Sequence, residues 1–285
     1  MAYLRMNYRS EALGRYVDVS ITYPTGNYSY RDTSDDPRSF LSGKPKPVYR
    51  EGMKFQTVWL MHGGGDDDST AMRYTLAERY AEENNVMIVC PDISNSFGLD
   101  TEYGVRYQTF VSEELPVLVR ALFASSDKRE DNFIIGFAMG GNVALGTALM
   151  HPELYAACVD ISGGIGMTLS TETLKEELLG DHFKNFFPLF NKSFGEAENI
   201  DGSRFDIGKT AKDKKEAGEE LCKFYVVCGE HEFIRERVER DVRLLKEFGY
   251  DTTYICEPGQ THDFNMFDLG LKKAFYELLP LKRGE

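Results

Sequence analysis

Apolar residues follow two different periods along the chain. Short apolar runs indicate buried strands, and between them apolar residues recur at helical spacing. Strands and helices that alternate in this way predict the α/β class, with a mostly parallel sheet covered by helices on both faces. The predicted strands are 16–23, 54–61, 86–90, 132–135, 156–161, 223–228 and 251–256, and the predicted helices are 70–83, 109–123, 142–150, 232–248 and 269–279.

Two stretches interrupt this alternation. Residues 27–50 are polar and contain Pro37, Pro45 and Pro47, which predicts a long loop. Residues 164–220 are far longer than an ordinary connection, so we expect a cap or lid inserted into one domain that spans 1–285. A set of phenylalanines in this insertion has the spacing of one helical face and is expected to pack onto the body: Phe183, Phe186, Phe187 and Phe190.

Length and charge narrow the classes of function. With 285 residues, the chain can bury a sizeable core without a disulfide or metal staple. Asp and Glu number 46 against 33 Lys and Arg, a formal net charge of −13 at pH 7. This balance argues against a nucleic acid or an anionic membrane as partner, because both require clustered cationic residues. The sequence leaves open whether the chain forms a homo-oligomer.

The N-terminus and the cysteines favour a cytoplasmic location. The first ten residues lack the apolar core of a signal peptide, and no run approaches the ~18 apolar residues of a membrane span. The five cysteines form no CxxC pair, and four of them lie in predicted strands. Buried free thiols in a reducing compartment are therefore expected. A secreted form trimmed of its leader is the alternative.

Residues 132–142 carry the strongest chemical signal. Gly136-Phe137-Ala138-Met139-Gly140 has the spacing of the G-x-S-x-G nucleophile elbow, in which a strand turns sharply into a helix. Glycines at the two outer positions let the strand and the helix approach closely around a strained central residue. The central residue here is alanine. The motif is therefore built to present a hydroxyl group that this chain lacks.

A second motif supplies candidate oxyanion donors. His62-Gly63-Gly64-Gly65 follows the predicted strand 54–61, where an HGGG loop places a backbone N–H beside the elbow. Gly64 and Met139 are the candidate N–H donors to a developing oxyanion. Gly63 and Phe137 are candidates for contact with the substrate, and His62 is expected to stabilise the loop.

In an α/β-hydrolase the catalytic residues follow one another along the chain as nucleophile, acid and histidine. Candidates for the acid and the histidine follow the last two predicted strands. His262 lies on a loop after strand 251–256 and is the candidate general base. Glu232 follows strand 223–228 and is the candidate acid that holds the imidazole ring. Glu230 competes with Glu232 for this role.

The remaining polar residues have simpler interpretations. Asp66–Asp68 lack further spaced ligands and predict a solvated acidic loop rather than a cation site. His231 is expected to be solvated, and His151 and His182 to be structural. No phosphate-binding loop, dinucleotide fingerprint or zinc spacing is present in the sequence, so no cofactor or metal is expected.

On these motifs the chain resembles the esterase D and tributyrin-esterase group of α/β-hydrolases, related to the carbohydrate-esterase feruloyl and acetyl esterases. The resemblance covers nearly the whole chain. The sequence differs from the family pattern at two positions. Ala138 stands where the family has its serine nucleophile, and Glu232 stands where it has its aspartate. The segments that carry the resemblance are Tyr8–Gly14, Val17–Tyr23, His62–Asp68, Glu113–Pro116, Gly136–Gly141, Ile161–Gly163 and Pro258–Asp268.

The resemblance implies a serine carboxylesterase that hydrolyses short acyl or hydroxycinnamoyl esters without a cofactor or metal. Phe187 is then a candidate wall of the acyl pocket. An S-formylglutathione hydrolase is the alternative within the same chemistry. Its substrate carries negative charge, which the acidic residues Asp66–Asp68 would not attract, so a neutral small-molecule ester is the expected partner.

Two explanations compete for Ala138. Either the serine was deliberately replaced so that an intact ester is trapped in the site, or the chain is a natural pseudohydrolase that binds a ligand without turnover. The complete set of glycines, oxyanion loop, histidine and acid favours the first explanation. Both predict ligand binding with almost no hydrolysis.

Overall fold

Eight strands form one sheet in the computed structural model, which describes residues 1–25, 51–163, 170–179, 193–194 and 196–282. Their order is β1-β2-β4-β3-β5-β6-β7-β8. The contacts of β2 with β1 and β4 are antiparallel, and all others are parallel. The predicted α/β class is thus confirmed. The strands are β1 (Ala2–Arg9), β2 (Tyr16–Tyr23), β3 (Thr57–Met61), β4 (Met87–Pro91), β5 (Asn132–Phe137), β6 (Ala157–Ile161), β7 (Lys223–Gly229) and β8 (Thr252–Glu257).

Helices cover both faces of this sheet. Short helical turns lie at Tyr107–Thr109, Arg129–Asp131 and Ala197–Asn199, and π-helical turns at Phe110–Glu114 and Ala274–Leu278. The helices are α1 (Thr70–Tyr74), α2 (Ala77–Asn84), α3 (Leu115–Leu122), α4 (Met139–Met150), α5 (Thr171–Leu179), α6 (Ile207–Glu216), α7 (Arg235–Glu247) and α8 (Phe264–Lys273). None of the described helices is both long and apolar enough to cross a membrane.

The central strands are buried on both faces. Along β3, Trp59 and Met61 pack into one apolar core with residues of α3, α4 and α7. Val58 and Leu60 pack into a second core with residues of α2 and α8 on the opposite face. This arrangement explains why these strands have continuous apolar runs rather than an alternating pattern.

Helix α4 is buried along almost its whole length. Apart from Asn142, its residues are apolar or small on every side, as expected for a helix that is covered all round. The sheet covers the inner side of α4, and α6, from the predicted insertion, packs against it. The predicted loop at 27–50 and the phenylalanines at 183–190 lie outside the described residues.

Three of the differences between the structure and the sequence predictions have a clear physical reason. Strand β1 was not predicted, because most of its residues are exposed and it contains no apolar run. The predicted helix 70–83 is broken into α1 and α2, where the Asp268 carboxylate accepts a hydrogen bond from the Leu76 N–H at 2.7 Å. Helix α8 begins at Phe264 rather than 269, because the Asp263 carboxylate caps its first turn.

The expectation of a solvated acidic loop is wrong for Asp68, whose side chain is completely buried. The Arg5 guanidinium on β1 donates two hydrogen bonds to the Asp68 carboxylate, at 2.9 and 2.7 Å. The Ser20 hydroxyl on β2 donates a third at 2.6 Å. This network attaches the loop after β3 to the antiparallel edge of the sheet.

We expect Arg5→Met to reduce the free energy of unfolding by about 3 kcal/mol, because it leaves the Asp68 carboxylate buried without its cation. Asp68→Asn is expected to cost less, since the Arg5 side chain is 48% exposed and remains hydrated. Urea unfolding measures both values. Arg9→Met, at an exposed position on the same strand, is the matched control and should change stability by no more than about 0.5 kcal/mol. Equal costs for Arg5→Met and Arg9→Met would contradict this account.

Candidate active site

The turn from β5 into α4 holds Ala138 in a strained conformation. Its backbone angles are φ 53° and ψ −126°, in a region that residues with a side chain rarely occupy. The Ala138 N–H donates to the Ile161 carbonyl at 3.0 Å, and the Ala138 carbonyl accepts from the Gly141 N–H at 2.9 Å. The surrounding backbone thus fixes the position from which a side chain at residue 138 projects.

The two outer glycines of the elbow have a steric role. A Cβ atom on Gly136 would lie 1.9 Å from the Gly140 carbonyl oxygen. A Cβ atom on Gly140 would lie 2.1 Å from the Met61 carbonyl oxygen at the end of β3. Both distances are far below any allowed contact, so only glycine lets β3, β5 and α4 approach this closely.

The loop after β3 lies against the elbow. Gly63 is buried, and a Cβ atom there would be 3.4 Å from the Ala138 Cβ. Gly64 is exposed, and in the described part of the chain no hydrogen bond occupies its N–H or that of Met139. The Gly65 N–H donates to the Asn95 amide oxygen at 2.7 Å and anchors the loop. Two N–H groups are therefore available near Ala138.

His62 holds this loop from below. The Ile93 N–H donates to its Nε2 atom at 2.9 Å, so Nε2 must be the unprotonated nitrogen. Its Nδ1 atom then donates to the Gly63 carbonyl at 2.8 Å. With both ring nitrogens bonded to backbone and the side chain buried, His62 has the position expected of a structural residue.

The other two aspartates of the acidic loop are also ordered. Burial raises the pKa of the Asp66 carboxyl, and the Gly63 N–H opposes this effect. Asp67 accepts hydrogen bonds from the hydroxyl and the N–H of Ser69, at 2.7 and 2.8 Å, which lower its pKa. Asp67 thus keeps a charged carboxylate near the oxyanion loop, whereas Asp68 is paired with Arg5.

The loops after β7 and β8 bring a carboxylate to a histidine. The His262 Nδ1 atom lies 2.8 Å from Oε2 of Glu232, whose side chain is completely buried. The Glu232 Oε1 atom accepts from the Ser162 hydroxyl at 2.5 Å and from the Gly229 N–H at 2.8 Å. Three hydrogen bonds therefore compensate the burial of this carboxylate and fix its orientation.

Glu230 points elsewhere. Its Oε2 atom accepts from the Gly259 N–H at 2.9 Å, and its side chain is exposed. Of the two competing acids, the structure places only Glu232 against His262. Because Nδ1 of His262 is bonded to that carboxylate, Nε2 is the nitrogen available for proton exchange.

Several other candidate residues have positions that differ from expectation or lie outside the described residues. Phe137 is completely buried and packs against Phe264 and Phe267. Its side chain therefore packs below the site and does not line it, because side chains alternate between the two faces of β5 and its own points into a core. Phe187 and His182 lie outside the described residues. His231 is exposed, as expected.

Two residues at the site were not assigned roles from the sequence. Ser162 donates to Glu232 from the end of β6, with a positive φ of 55°. Phe233 follows the acid, and its ring centroid lies 5.1 Å from that of His262. The only sequence feature that could have indicated a role for Ser162 is the short Ile161-Ser162-Gly163 segment at the end of a buried strand.

The described residues contain no group of three or more histidine, cysteine, aspartate or glutamate side chains arranged to hold a metal ion. The arrangement of a buried carboxylate, a histidine, two N–H groups and a strained elbow matches the parts of a Ser-His-acid hydrolase. The hydroxyl group at residue 138 is the missing part.

The sequence matches those of known proteins over most of its length. A protein-family model described as "Putative esterase" matches residues 44–221. The chain is 26% identical over 282 residues to an acetyl esterase from Caldicellulosiruptor saccharolyticus, with 96% of this chain and 97% of the relative covered.

Solved structures with a similar fold include two Staphylococcus aureus proteins. They are the fluorophosphonate-binding serine hydrolase FphF (24% identity, TM-score 0.78) and the S-formylglutathione hydrolase FrmB (24%, 0.76), each with 98% of both chains covered. A ferulic acid esterase has a TM-score of 0.71 at 14% identity, with 98% of this chain and 97% of that chain covered. At these identities the similarity establishes the fold.

We expect Ala138→Gly to increase the free energy of unfolding by about 1 kcal/mol, because glycine relieves the strain of the positive φ angle. The matched control is Ala144→Gly, at a regular buried position of α4, which should reduce stability by about 1 kcal/mol. Urea unfolding of both variants gives the two signs. A loss of stability in both would show that the elbow is not strained.

In a protein with serine restored at residue 138, Glu232→Gln is expected to lower kcat by about 10⁴-fold, because an amide does not stabilise the imidazolium of His262. Glu230→Gln keeps an acceptor for the Gly259 N–H and should leave kcat nearly unchanged. Steady-state hydrolysis of an aryl acetate measures both. Equal losses in the two variants would remove the distinction between these acids.

Proposed function

Because the chain belongs to this esterase family, a family of carboxylic ester hydrolases, we propose that its site binds a neutral ester of a short acyl or hydroxycinnamoyl acid. The main support for hydrolytic chemistry at this site is the hydrogen bond between His262 and the buried Glu232. A carboxylate that is held by the Ser162 hydroxyl and the Gly229 N–H, and that is bonded to a histidine nitrogen, orients that histidine as a general base.

The residues take the following roles when serine stands at position 138. The serine hydroxyl attacks the ester carbonyl carbon while Nε2 of His262 accepts its proton. Glu232 stabilises the resulting imidazolium, and the N–H groups of Gly64 and Met139 stabilise the oxyanion. The imidazolium then protonates the departing alcohol. Water attacks the acyl-enzyme by the same steps and releases the acid.

In the present chain, Ala138 cannot form the acyl-enzyme, so the site binds the ester without hydrolysing it. The strained φ at Ala138 and the glycines around it support the interpretation that a serine was replaced in an otherwise complete site. A natural pseudohydrolase is the alternative. The codon at position 138 in the source gene separates them, since a serine codon means replacement.

The charge around the oxyanion loop supports neutral substrates. Asp67, whose pKa is lowered by the hydrogen bonds that it accepts from Ser69, keeps a charged carboxylate in this loop, and the nearby cation Arg5 is paired with Asp68. An anionic thioester such as S-formylglutathione would be repelled there. It is retained as the second candidate substrate because FrmB, an S-formylglutathione hydrolase, has a similar fold over 98% of both chains.

Restoring the nucleophile with Ala138→Ser is expected to raise kcat for short aryl esters by on the order of 10⁶-fold, with a burst of the released phenol. Ala138→Ser combined with His262→Ala is the control and should return to the level of the present chain. Stopped-flow absorbance with acetyl, butyryl and feruloyl esters measures the burst. The absence of both burst and turnover would reject the esterase function.

Binding to the present chain is tested separately. Calorimetry with an intact, non-hydrolysed ester should give measurable affinity. In the serine form, a kcat/KM for S-formylglutathione above that for every neutral ester would reverse the proposed order of the two substrate classes.

A further inference from the structure

Phe233 is the most exposed large apolar side chain in the described part of the chain, at 78%. Exposure of a single apolar residue is ordinary in itself. The position of this one is not, because it directly follows Glu232 and its ring meets the His262 imidazole edge-on, with centroids 5.1 Å apart and planes at 66°.

A second aromatic ring contacts the same imidazole. The Phe267 centroid also lies 5.1 Å from that of His262, with the planes at 87°, but Phe267 is buried. The orientation of the imidazole is already determined by Phe267 and by the hydrogen bond from Nδ1 to Glu232. Phe233 is therefore not required to hold His262 and leaves most of its own surface in solvent.

During the reaction the acyl half and the alcohol half of the ester lie at different residues of the site. After attack, the acyl group is bonded to residue 138, and the oxygen of the alcohol takes its proton from Nε2 of His262 as the bond between the carbonyl carbon and that oxygen breaks. The first atoms of the alcohol half therefore lie at the imidazole. An exposed side chain that contacts the imidazole is therefore a candidate to contact that half.

We propose that Phe233 is a specificity-determining residue that packs against the alcohol half of the ester and favours alcohols with a flat apolar face. An aryl ring and the C–H face of a pyranose both present such a face. Covering the exposed Phe233 ring removes apolar surface of both partners from water. This inference rests on the proposed esterase function.

The test compares acetyl esters that differ only in the alcohol, in the Ala138→Ser protein. With Phe233→Ala, the ratio of kcat/KM for phenyl acetate to that for ethyl acetate is expected to fall about tenfold. All acetyl esters form the same acetyl-enzyme, so the loss should occur in acylation and not in deacylation, which a burst experiment separates. Phe233→Tyr should restore the ratio.

Tyr16→Ala is the matched control. Tyr16 is also a largely exposed aromatic residue, at 64%, but it lies on β2, five strands away from β7. At about 4.8 Å per strand this is about 24 Å. The Tyr16→Ala variant should keep the ratio of the parent. An acetylated methyl pyranoside is tested beside phenyl acetate, because the first alcohol presents a sugar face and the second an aryl ring. If Phe233→Ala lowers the kcat/KM of either ester relative to that of ethyl acetate, the proposal is supported.

Three results with Phe233→Ala in the Ala138→Ser protein would overturn the proposal. The first is an unchanged ratio of kcat/KM for phenyl acetate to that for ethyl acetate in Phe233→Ala. The second is an equal loss of kcat/KM for all acetyl esters together with a lowered Tm. The third is a loss of kcat/KM that depends on the acyl group when the alcohol is held constant. Failure of the esterase function itself has a different signature, since the Ala138→Ser protein with Phe233 in place would then be inactive. In that case the Kd of phenyl acetate for the present chain, measured by calorimetry, should still rise about tenfold with Phe233→Ala, and an unchanged Kd would reject the role of Phe233.

Discussion

The close backbone contact at the elbow is the constraint on which the site depends. Gly140 brings the start of α4 so near to the Met61 carbonyl that a single methyl group would be 2.1 Å from it. This contact forces Ala138 to a positive φ, leaves the Met139 N–H at the free end of the helix, and places Gly63 directly beside residue 138. The burial of α4 between the sheet and α6 prevents the strain from being released.

The second constraint is the buried carboxylate of Glu232. A charge without exposure to water is costly unless its lone pairs are bonded. Its three donors come from the ends of β6 and β7 and from the loop after β8, namely Ser162, Gly229 and His262. A Cβ atom on Gly229 would lie 2.6 Å from the Gln260 carbonyl, so these loops are also in direct contact. One carboxylate thus joins three neighbouring loops and orients the imidazole.

Most of the sheet could be predicted from the sequence, because buried parallel strands have apolar runs that do not depend on distant residues. The exception was β1, an edge strand with five of its eight residues exposed. The helix predicted at 70–83 was divided by a hydrogen bond from the Leu76 N–H to Asp268, nearly two hundred residues away along the chain. Local periodicity contains no information about such a partner.

The sequence by itself determined the elbow, the HGGG loop and the order of the candidate acid and histidine, because these follow from steric needs within a few residues. Tertiary structure decided between neighbours that the sequence cannot separate. Glu232 rather than Glu230 meets His262, and Phe233 rather than Phe137 is exposed at the site. The physical reason is that the direction in which a loop side chain points is set by the elements packed against it, and those elements come from distant parts of the chain.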